Sequence, residues 1–449
     1  MAGSTVTAIE KAGVVGAGGG GFPTHVKAKA TADVVLANGA ECEPLLRADT
    51  ELVTKHADRV VRGLALVRDA VGASRAVMAF KSKNERALAA MRSAIEKHAE
   101  AGGAEVELVP LSYVYPAGDE FLLVYETTGR VVPEGGIPLD VGVVVSNVTT
   151  LAQVADAVEG RPVTRRLVTV QGEVARPLTL DVPVGTDIGV LIERAGGVKT
   201  DEYQVIVGGP MMGHLMTPGE PTTKTVSGAI VLPADHPLVG SMAAREEQVL
   251  RLARAACCQC MACTELCPRY LLGHELEPHR TVRAVQYADF DENHRHITSA
   301  YLCCECGMCE LFSCPLGIQP RRILADLKAE LSRRGVPNPH TRSDLTPDGV
   351  REYRQIPSSR LTRRLGLSQY DGEAPLDPEP VRPARVTLLT KQHAGAAAEP
   401  VVKTGQRVLE GDVVAETPDD ALGARVHASI TGQVTGADEA AVTITADAR

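Results

Sequence analysis

Two runs of cysteine constrain this chain more than any other feature: Cys257-x2-Cys260-x2-Cys263-x3-Cys267-Pro268 and Cys303-x2-Cys306-x2-Cys309-x4-Cys314-Pro315. Three thiolates at this spacing cap one face of an iron–sulfur cube, and a fourth, just ahead of proline, points elsewhere. The second run has one extra residue before its last cysteine, so its loop must bulge. In two-cluster ferredoxins the fourth cysteine of each run ligates the other cluster. That rule gives one [4Fe-4S] cluster to Cys257, Cys260, Cys263 and Cys314, and a second to Cys303, Cys306, Cys309 and Cys267. Zinc sites use well-separated C-x2-C pairs instead, which makes a pair of zinc sites the weaker reading. Cys258 and Cys304 follow the first ligand of each run, but Cys258 leaves only one residue before Cys260, so spacing favours Cys257 and Cys303.

The rest of the chain is too long for one core. At 449 residues it calls for two to four domains. Crowded cysteines in a long chain suggest metal ligation in a reducing compartment rather than disulfides. Cys42 stands alone, as a small buried hydrophobe or a redox group. A net charge of −9, no Trp and only 5 Phe and 9 Tyr argue against a nucleic-acid partner. No apolar run reaches the roughly 18 residues of a membrane span, and the first residues have no signal-peptide character. The expected location is the cytoplasm.

Pattern divides the chain. From Asp33 to about Val158, β-rich runs (Val34 to Leu36, Arg75 to Phe80, Glu105 to Leu111, Gly142 to Val145) alternate with helical ones (Glu51 to Ala70, Glu85 to His98). This predicts an α/β multidomain protein that opens with a largely parallel, Rossmann-like layer. Short strands at Arg166 to Glu173, Leu178 to Val184 and Gln204 to Val207, with a helix at Asp187 to Ala195, suggest a β-grasp module. Helices at Met242 to Ala256, Glu277 to Tyr287 and Pro320 to Arg334 frame the cysteines. Residues 335–385, rich in Pro, Arg and Asp, suggest a linker wrapping the other domains, with Arg351 to Arg364 a solvated face. Short β runs with glycine turns then predict a small all-β sandwich.

Chemistry beyond the cysteines gathers near the N-terminus. Gly16-Ala-Gly18-Gly19-Gly20-Gly21-Phe22-Pro23-Thr24-His25-Val-Lys27 ends abruptly before a strand. Glycines let backbone N–H groups approach a phosphate. Asn38-Gly39-Ala40-Glu41-Cys42-Glu43-Pro44 follows that strand, at the carboxyl edge where α/β folds place ligands.

These segments, with Tyr115-Pro116-Ala117-Gly118-Asp119-Glu120 and Asn147-Val148-Thr149-Thr150, resemble a flavoprotein family. It joins the NADH/FMN-binding subunit of complex I, the RnfC proteins and the PduS-type cobalamin reductases. The resemblance implies that Gly18, Gly19, Gly20, Gly21 and Lys27 face the FMN phosphate or ring. Asn38, Asn147, Thr149 and Thr150 would hold the isoalloxazine, ribityl chain and phosphate. Glu41 and Glu43 would lie near bound NADH, and Tyr115, Gly118 and Glu120 would line the same site. Gly208 to Gly213 resembles the family's β-grasp module, called SLBB. The resemblance divides the chain into an FMN/NADH domain (1–160), an SLBB β-grasp domain (161–240), a helical two-[4Fe-4S] ferredoxin-like domain (241–334), a linker (335–385) and a barrel-sandwich segment (386–449). RnfC-like proteins carry that last segment at the N-terminus; its place here is similar to the PduS type.

The implied activity is NADH-dependent electron transfer through FMN and two clusters. The implied acceptor is cob(II)alamin, with an adenosyltransferase and microcompartment shell proteins as partners. A protein acceptor, as in RnfC-like complexes, is the alternative. No base-off histidine motif for cobalamin stands out, no residue is singled out as catalytic, and microcompartment residence rests on the resemblance alone.

Overall fold

The computed structural model describes residues 2–287 and 294–447. Helices α1 (Ala2–Lys11) and α2 (Thr24–Ala28) precede the first layer. Strands β1 (Val34–Gly39), β2 (Arg75–Lys81) and β3 (Val106–Leu111), a short β4 (Val114–Tyr115) and β5 (Val143–Asn147) follow. The layer is a parallel sheet in the order β3-β2-β1-β5. Strands β1, β2 and β5 are nearly continuous in apolar residues because both of their faces are covered, while the edge strand β3 exposes Glu107 and Pro110. Val35, Ala37, Met78 and Val144 pack under α1, α3 (Ala48–Val71), α4 (Glu85–Glu100) and α6 (Val148–Val158). The alternate residues Val34, Leu36, Val77 and Val145 pack on the opposite face against Leu123 and Val124 of α5 (Glu120–Thr128). Gly63 lets α3 and α6 approach closely: a Cβ there would lie 1.8 Å from the Leu151 carbonyl oxygen.

The next module is a mixed sheet of β6 (Arg165–Gly172), β7 (Leu178–Pro183), β8 (Tyr203–Val207), β9 (His214–Leu215) and β10 (Gly228–Pro233). Its order is β7-β6-β10-β8-β9, with β6 and β10 parallel at the centre, as in a β-grasp. One helix, α7 (Ile188–Arg194), is capped by Asp187.

The single helix expected at Met242 to Ala256 is two, α8 (Pro237–Ala243) and α9 (Glu246–Ala256). Ala244 turns extended between them, and the Arg245 N–H is capped by Gln248 Oε1 at 2.9 Å. The short helix α10 (Ala262–Glu265) lies within the first cysteine run, and α11 (Pro268–Leu271) begins at the proline that ends it. Helices α12 (Pro278–Tyr287), α13 (Arg295–Thr298) and α14 (Pro320–Arg333) surround the second. The bulge expected there takes the form of a π-helical turn, Met308–Ser313, which absorbs one residue more than an α-turn would.

Residues 335–385 are not structureless. Strand β11 (Ile356–Pro357) pairs with β4, and α15 (Ser358–Arg364) follows it. Arg351 is buried and ion-paired with Glu126, and Arg354 reaches Glu265 at 3.2 Å, so the arginine-rich stretch is partly an internal contact rather than a solvated face. Further along, Asp371 pairs with Arg47 at 2.6 Å. Finally β12 (Arg385–Leu389), β13 (Glu399–Pro400), β14 (Arg407–Val408), β15 (Val413–Glu416), β16 (Val426–His427), β17 (Gly432–Ala437) and β18 (Ala441–Ala446) form two small sheets around a Val-rich core. Among the described residues no helix is long and apolar enough to cross a membrane.

Candidate flavin and iron–sulfur site

Parallel pairing puts Asn38 directly opposite Asn147 at the carboxyl ends of β1 and β5. The glycine loop folds over this edge. Ala17 N–H donates to Thr150 Oγ1 at 2.8 Å, and a Cβ on Gly18 would lie 3.3 Å from Asn147 Cβ. A Cβ on Gly19 or Gly20 would meet nothing within 4 Å, so their backbone is open to a ligand. Asn147 caps α6 through Thr149 N–H, which turns that helix's positive end toward the loop. Lys27 Nζ donates to the Val145 carbonyl at 3.1 Å and lies 3.5 Å from Glu120. Asn38 Nδ2 donates to the Gly118 carbonyl at 2.9 Å. The fold therefore brings together Gly18 to Gly21, Lys27, Asn38, Gly118, Glu120, Asn147, Thr149 and Thr150. An exposed glycine backbone at a helix N-terminus beside a lysine fits the phosphate end of a flavin nucleotide.

Glu41 and Glu43 face a different space. Both line a cavity of about 610 Å³ at the ends of β1 and β2, with Lys81, Lys83, Tyr113 and residues 371–376 as further walls. Neither the glycine loop nor Asn147 borders it. Glu41 accepts from the N–H groups of Asp49 and Thr50 and from Thr50 Oγ1, at 2.8, 3.0 and 2.6 Å. Burial, reinforced by Asp49, pushes its carboxyl up to about 7. Glu43 accepts from Met211 N–H at 2.8 Å, while its Oε1 is buried without a partner. Burial pushes Glu43 up to about 7 as well, with the Met211 and Met212 N–H groups opposing the shift. An orphaned carboxylate oxygen beside a large cavity suits the hydroxyls of a sugar or nucleotide.

Residues that the sequence did not single out hold this arrangement. Asp49 accepts from both Asn147 Nδ2 and Thr149 Oγ1 at 2.7 Å, and it starts α3, where an acidic residue looks like an ordinary helix-dipole partner. Arg166, buried in β6, donates Nη2 to the Ala17 carbonyl at 2.7 Å and Nη1 to the Lys224 carbonyl at 2.8 Å. Lys224 Nζ reaches the Gly13 carbonyl at 2.7 Å. Ala394 N–H donates to the Gly21 carbonyl at 3.0 Å. The glycine loop is thus braced by both the β-grasp and C-terminal modules.

The cysteines gather in two pockets. Cys257, Cys258, Cys260, Cys263 and Cys314 line one; Cys267, Cys303, Cys304, Cys306 and Cys309 line the other. The last cysteine of each run thus sits with the first three of the other. The two runs repeat one backbone: Gln259 and Glu305 share a φ of 57°, and Met261 and Gly307 are both left-handed. Gln259 Nε2 donates to Cys257 Sγ at 3.1 Å, and Glu305 N–H to Cys303 Sγ at 3.3 Å. Burial, then the neighbours Cys314 and Cys260, push the Cys263 thiol up to about 12. Burial does the same to Cys267. Each pocket brings together the thiols of four or more cysteines, a donor set that fits an iron–sulfur cluster, whose iron would stabilise the thiolate forms.

The second pocket touches the flavin layer. Tyr115 Oη donates to the Cys306 carbonyl at 2.6 Å, and Cys42, Tyr115, Met211, Cys304, Cys306 and Met308 share one buried cluster. Cys42 is half-buried and lines the cavity beside Glu41 and Glu43; its Sγ accepts from Gly118 N–H at 2.7 Å, and burial pushes its thiol up.

A cobalamin reductase PduS from Salmonella typhimurium is 45% identical over 97% of this chain and 95% of its own. The one from Citrobacter freundii is 44% identical over the same shares. The chain belongs to the PduS-type cobalamin reductase family. Four family models divide this PduS-type chain: the Nuo51 FMN-binding domain matches residues 9–156, the SLBB domain 167–215, the 4Fe-4S dicluster domain 256–319 and the RnfC barrel sandwich hybrid domain 375–448. One subunit of a proton-translocating ferredoxin:NAD(+) oxidoreductase complex of Clostridium ljungdahlii is 35% identical over 59% of the chain and 55% of its own. In fold, the PduS-type chain resembles a chain of an NAD+-reducing [NiFe]-hydrogenase, with a TM-score of 0.51 at 22% identity over 77% of this chain and 69% of that one.

Proposed function

We propose that this protein is an NADH-dependent oxidoreductase that reduces cob(II)alamin to cob(I)alamin, so that a partner adenosyltransferase can rebuild coenzyme B12. Its PduS relatives are cobalamin reductases by name, which supports the acceptor. One observation carries the electron-transfer reading: the Tyr115 hydroxyl joins the flavin layer to the Cys306 carbonyl at 2.6 Å. The proposed hydride site and the proposed second cluster thereby share one buried core.

FMN, when bound, supplies the conversion between the two-electron chemistry of a nicotinamide and the one-electron steps of iron–sulfur clusters. The chain's residues would do the holding. Gly18 to Gly21 and the N-terminus of α6 receive the phosphate, with Lys27 supplying charge. Asn38, Asn147, Thr149 and Thr150 orient the ring and ribityl chain, while Tyr115, Gly118 and Glu120 close the site. Glu41 and Glu43 face the nicotinamide dinucleotide in the cavity of about 610 Å³. Cys257, Cys260, Cys263 and Cys314 hold one [4Fe-4S] cluster; Cys303, Cys306, Cys309 and Cys267 hold the other. The modules divide as 1–160, 161–240, 241–334, 335–385 and 386–449, and the protein works in the cytoplasm, inside a bacterial microcompartment.

A protein acceptor is the second reading. It is favoured by the rim of the first pocket, where Met261 and Leu316 are 37% and 43% exposed beside the exposed Cys258 and Cys260. Anaerobic purification with iron, sulfide and flavin assays, then NADH titration and addition of cob(II)alamin, separates the readings. About eight irons, one flavin, bleaching by NADH and reoxidation by cob(II)alamin are expected. Bleaching without that reoxidation leaves the protein acceptor, and iron without flavin reduces the chain to an electron conduit.

A further inference from the structure

The two cysteine pockets differ in their charged surroundings. Among the described residues no Arg, Lys, Asp or Glu lines the first pocket, whose one titratable non-cysteine group is His279. Two arginines flank the second. Arg321 lines it directly, and Arg269, two residues after Cys267, interacts with the thiol of Cys304, which stands next to the proposed ligand Cys303, and more weakly with that of Cys306.

Both arginines are held in the same way. Arg269 Nη2 pairs with Asp119 at 2.9 Å, and Arg321 Nη2 reaches Glu310 at 3.4 Å. Asp119 is itself fixed as the cap of α5 by the N–H groups of Phe121 and Leu122, and the Phe121 ring lies 3.5 Å from Arg269 Cζ. What remains is unusual. Arg269 Nε and Nη1 and Arg321 Nε are buried and have no hydrogen-bond partner. Buried donors on a cation are costly to leave unmet, and the acceptors nearby are sulfur atoms.

We propose that Arg269 and Arg321 are positioning residues for the second cluster, whose sulfurs satisfy their free N–H groups and whose reduction potential they raise. Reduction adds one negative charge to a cluster, so fixed cations and hydrogen bonds to sulfur favour the reduced form. The Asp119–Arg269 pair also ties that cluster's surroundings to the flavin layer, because Asp119 begins α5 there. This inference rests on the two-cluster reading given above.

The test is an EPR-monitored redox titration of the full-length, anaerobically prepared holoprotein, comparing the parent with Arg269→Gln and Arg321→Gln. Exposed Arg254→Gln on α9, which ends just before Cys257, is the control. Each of the two variants should lower one cluster's potential by about tenfold in its reduction equilibrium, or ~59 mV for one electron. The other cluster should not move, and iron and flavin contents should match the parent. Unchanged potentials, or equal shifts of both clusters, overturn the proposal. Loss of iron from both glutamine variants, with Arg269→Lys and Arg321→Lys equally depleted, overturns it in favour of a purely structural role. A parent protein with about four irons and one EPR signal would instead overturn the two-cluster reading itself.

Discussion

Tyr115 and Cys306, 191 positions apart in sequence, meet through one hydrogen bond of 2.6 Å from the phenol to the backbone carbonyl. The bond is buried, and β11 pairs Ile356 with Tyr115 in the same place. One residue thus joins the flavin layer, the second cysteine run and the strand that wraps them.

Tyr115→Phe keeps the ring and removes the donor. A buried carbonyl left without its partner costs about 1–3 kcal/mol, so the melting temperature of the holoprotein should fall by several degrees. Iron and flavin contents should stay at parental levels. A variant as stable as the parent would show that the bond adds nothing to the union of the two modules.

The crossed arrangement of cysteines gives a second prediction. Cys314 shares a pocket with Cys257, Cys260 and Cys263, and Cys267 shares one with Cys303, Cys306 and Cys309. Cys263→Ser and Cys314→Ser should therefore weaken the same EPR signal, and Cys267→Ser the other, all with flavin retained. If Cys314→Ser and Cys309→Ser weaken one signal together, each run serves its own cluster and the crossing is wrong.

Much of this architecture is legible in the residues. The apolar runs that become β1, β2 and β5 are buried on both faces, so composition alone marks them, whereas β3 at the sheet edge exposes Glu107 and Pro110. The break between α8 and α9 is not legible, since the residues around Ala244 form helices readily and a local cap decides the matter. Nor is β11 legible: two residues carry no periodicity, and a partner 241 residues away fixes them (356 − 115). The candidate site divides similarly. Glycines and cysteines announce themselves by spacing, whereas Asp49, Arg166 and Arg269 act through contacts more than 97 positions distant, which no local pattern encodes.

The buried carboxyls make stability depend on pH. Glu43 holds its proton up to about 7 in the folded chain, against an ordinary value of 4.5, and Glu41 does the same. Between those values the folded form binds more protons than the unfolded one, so stability falls as pH rises from about 4.5 to 7. Glu43→Gln removes one such group. In the flavin-loaded protein without nucleotide, its melting temperature should fall less across that window than the parent's and should exceed the parent's at pH 8. Parallel curves for the two proteins would show that Glu43 ionises freely in the fold.

Arg166 offers the sharpest separation of flavin binding from cluster binding. Its guanidinium lies in β6, outside the flavin layer, and its Nη2 ends on the Ala17 carbonyl inside the glycine loop. Its other nitrogens hold the Val226 and Lys224 carbonyls, and Lys224 in turn reaches Gly13. Burial drives its pKa down to about 10, so it stays charged at neutral pH. Arg166→Met leaves the carbonyl of Ala17 unpaired and frees the loop to move away from Asn147 and Thr150. Flavin affinity, read by fluorescence titration of the deflavinated protein, should weaken at least tenfold, or ~1.4 kcal/mol. Iron content should hold, because no cysteine pocket borders Arg166. A variant that keeps its flavin affinity but loses iron would show that the brace serves the clusters, and that the glycine loop keeps its shape without help from the β-grasp module.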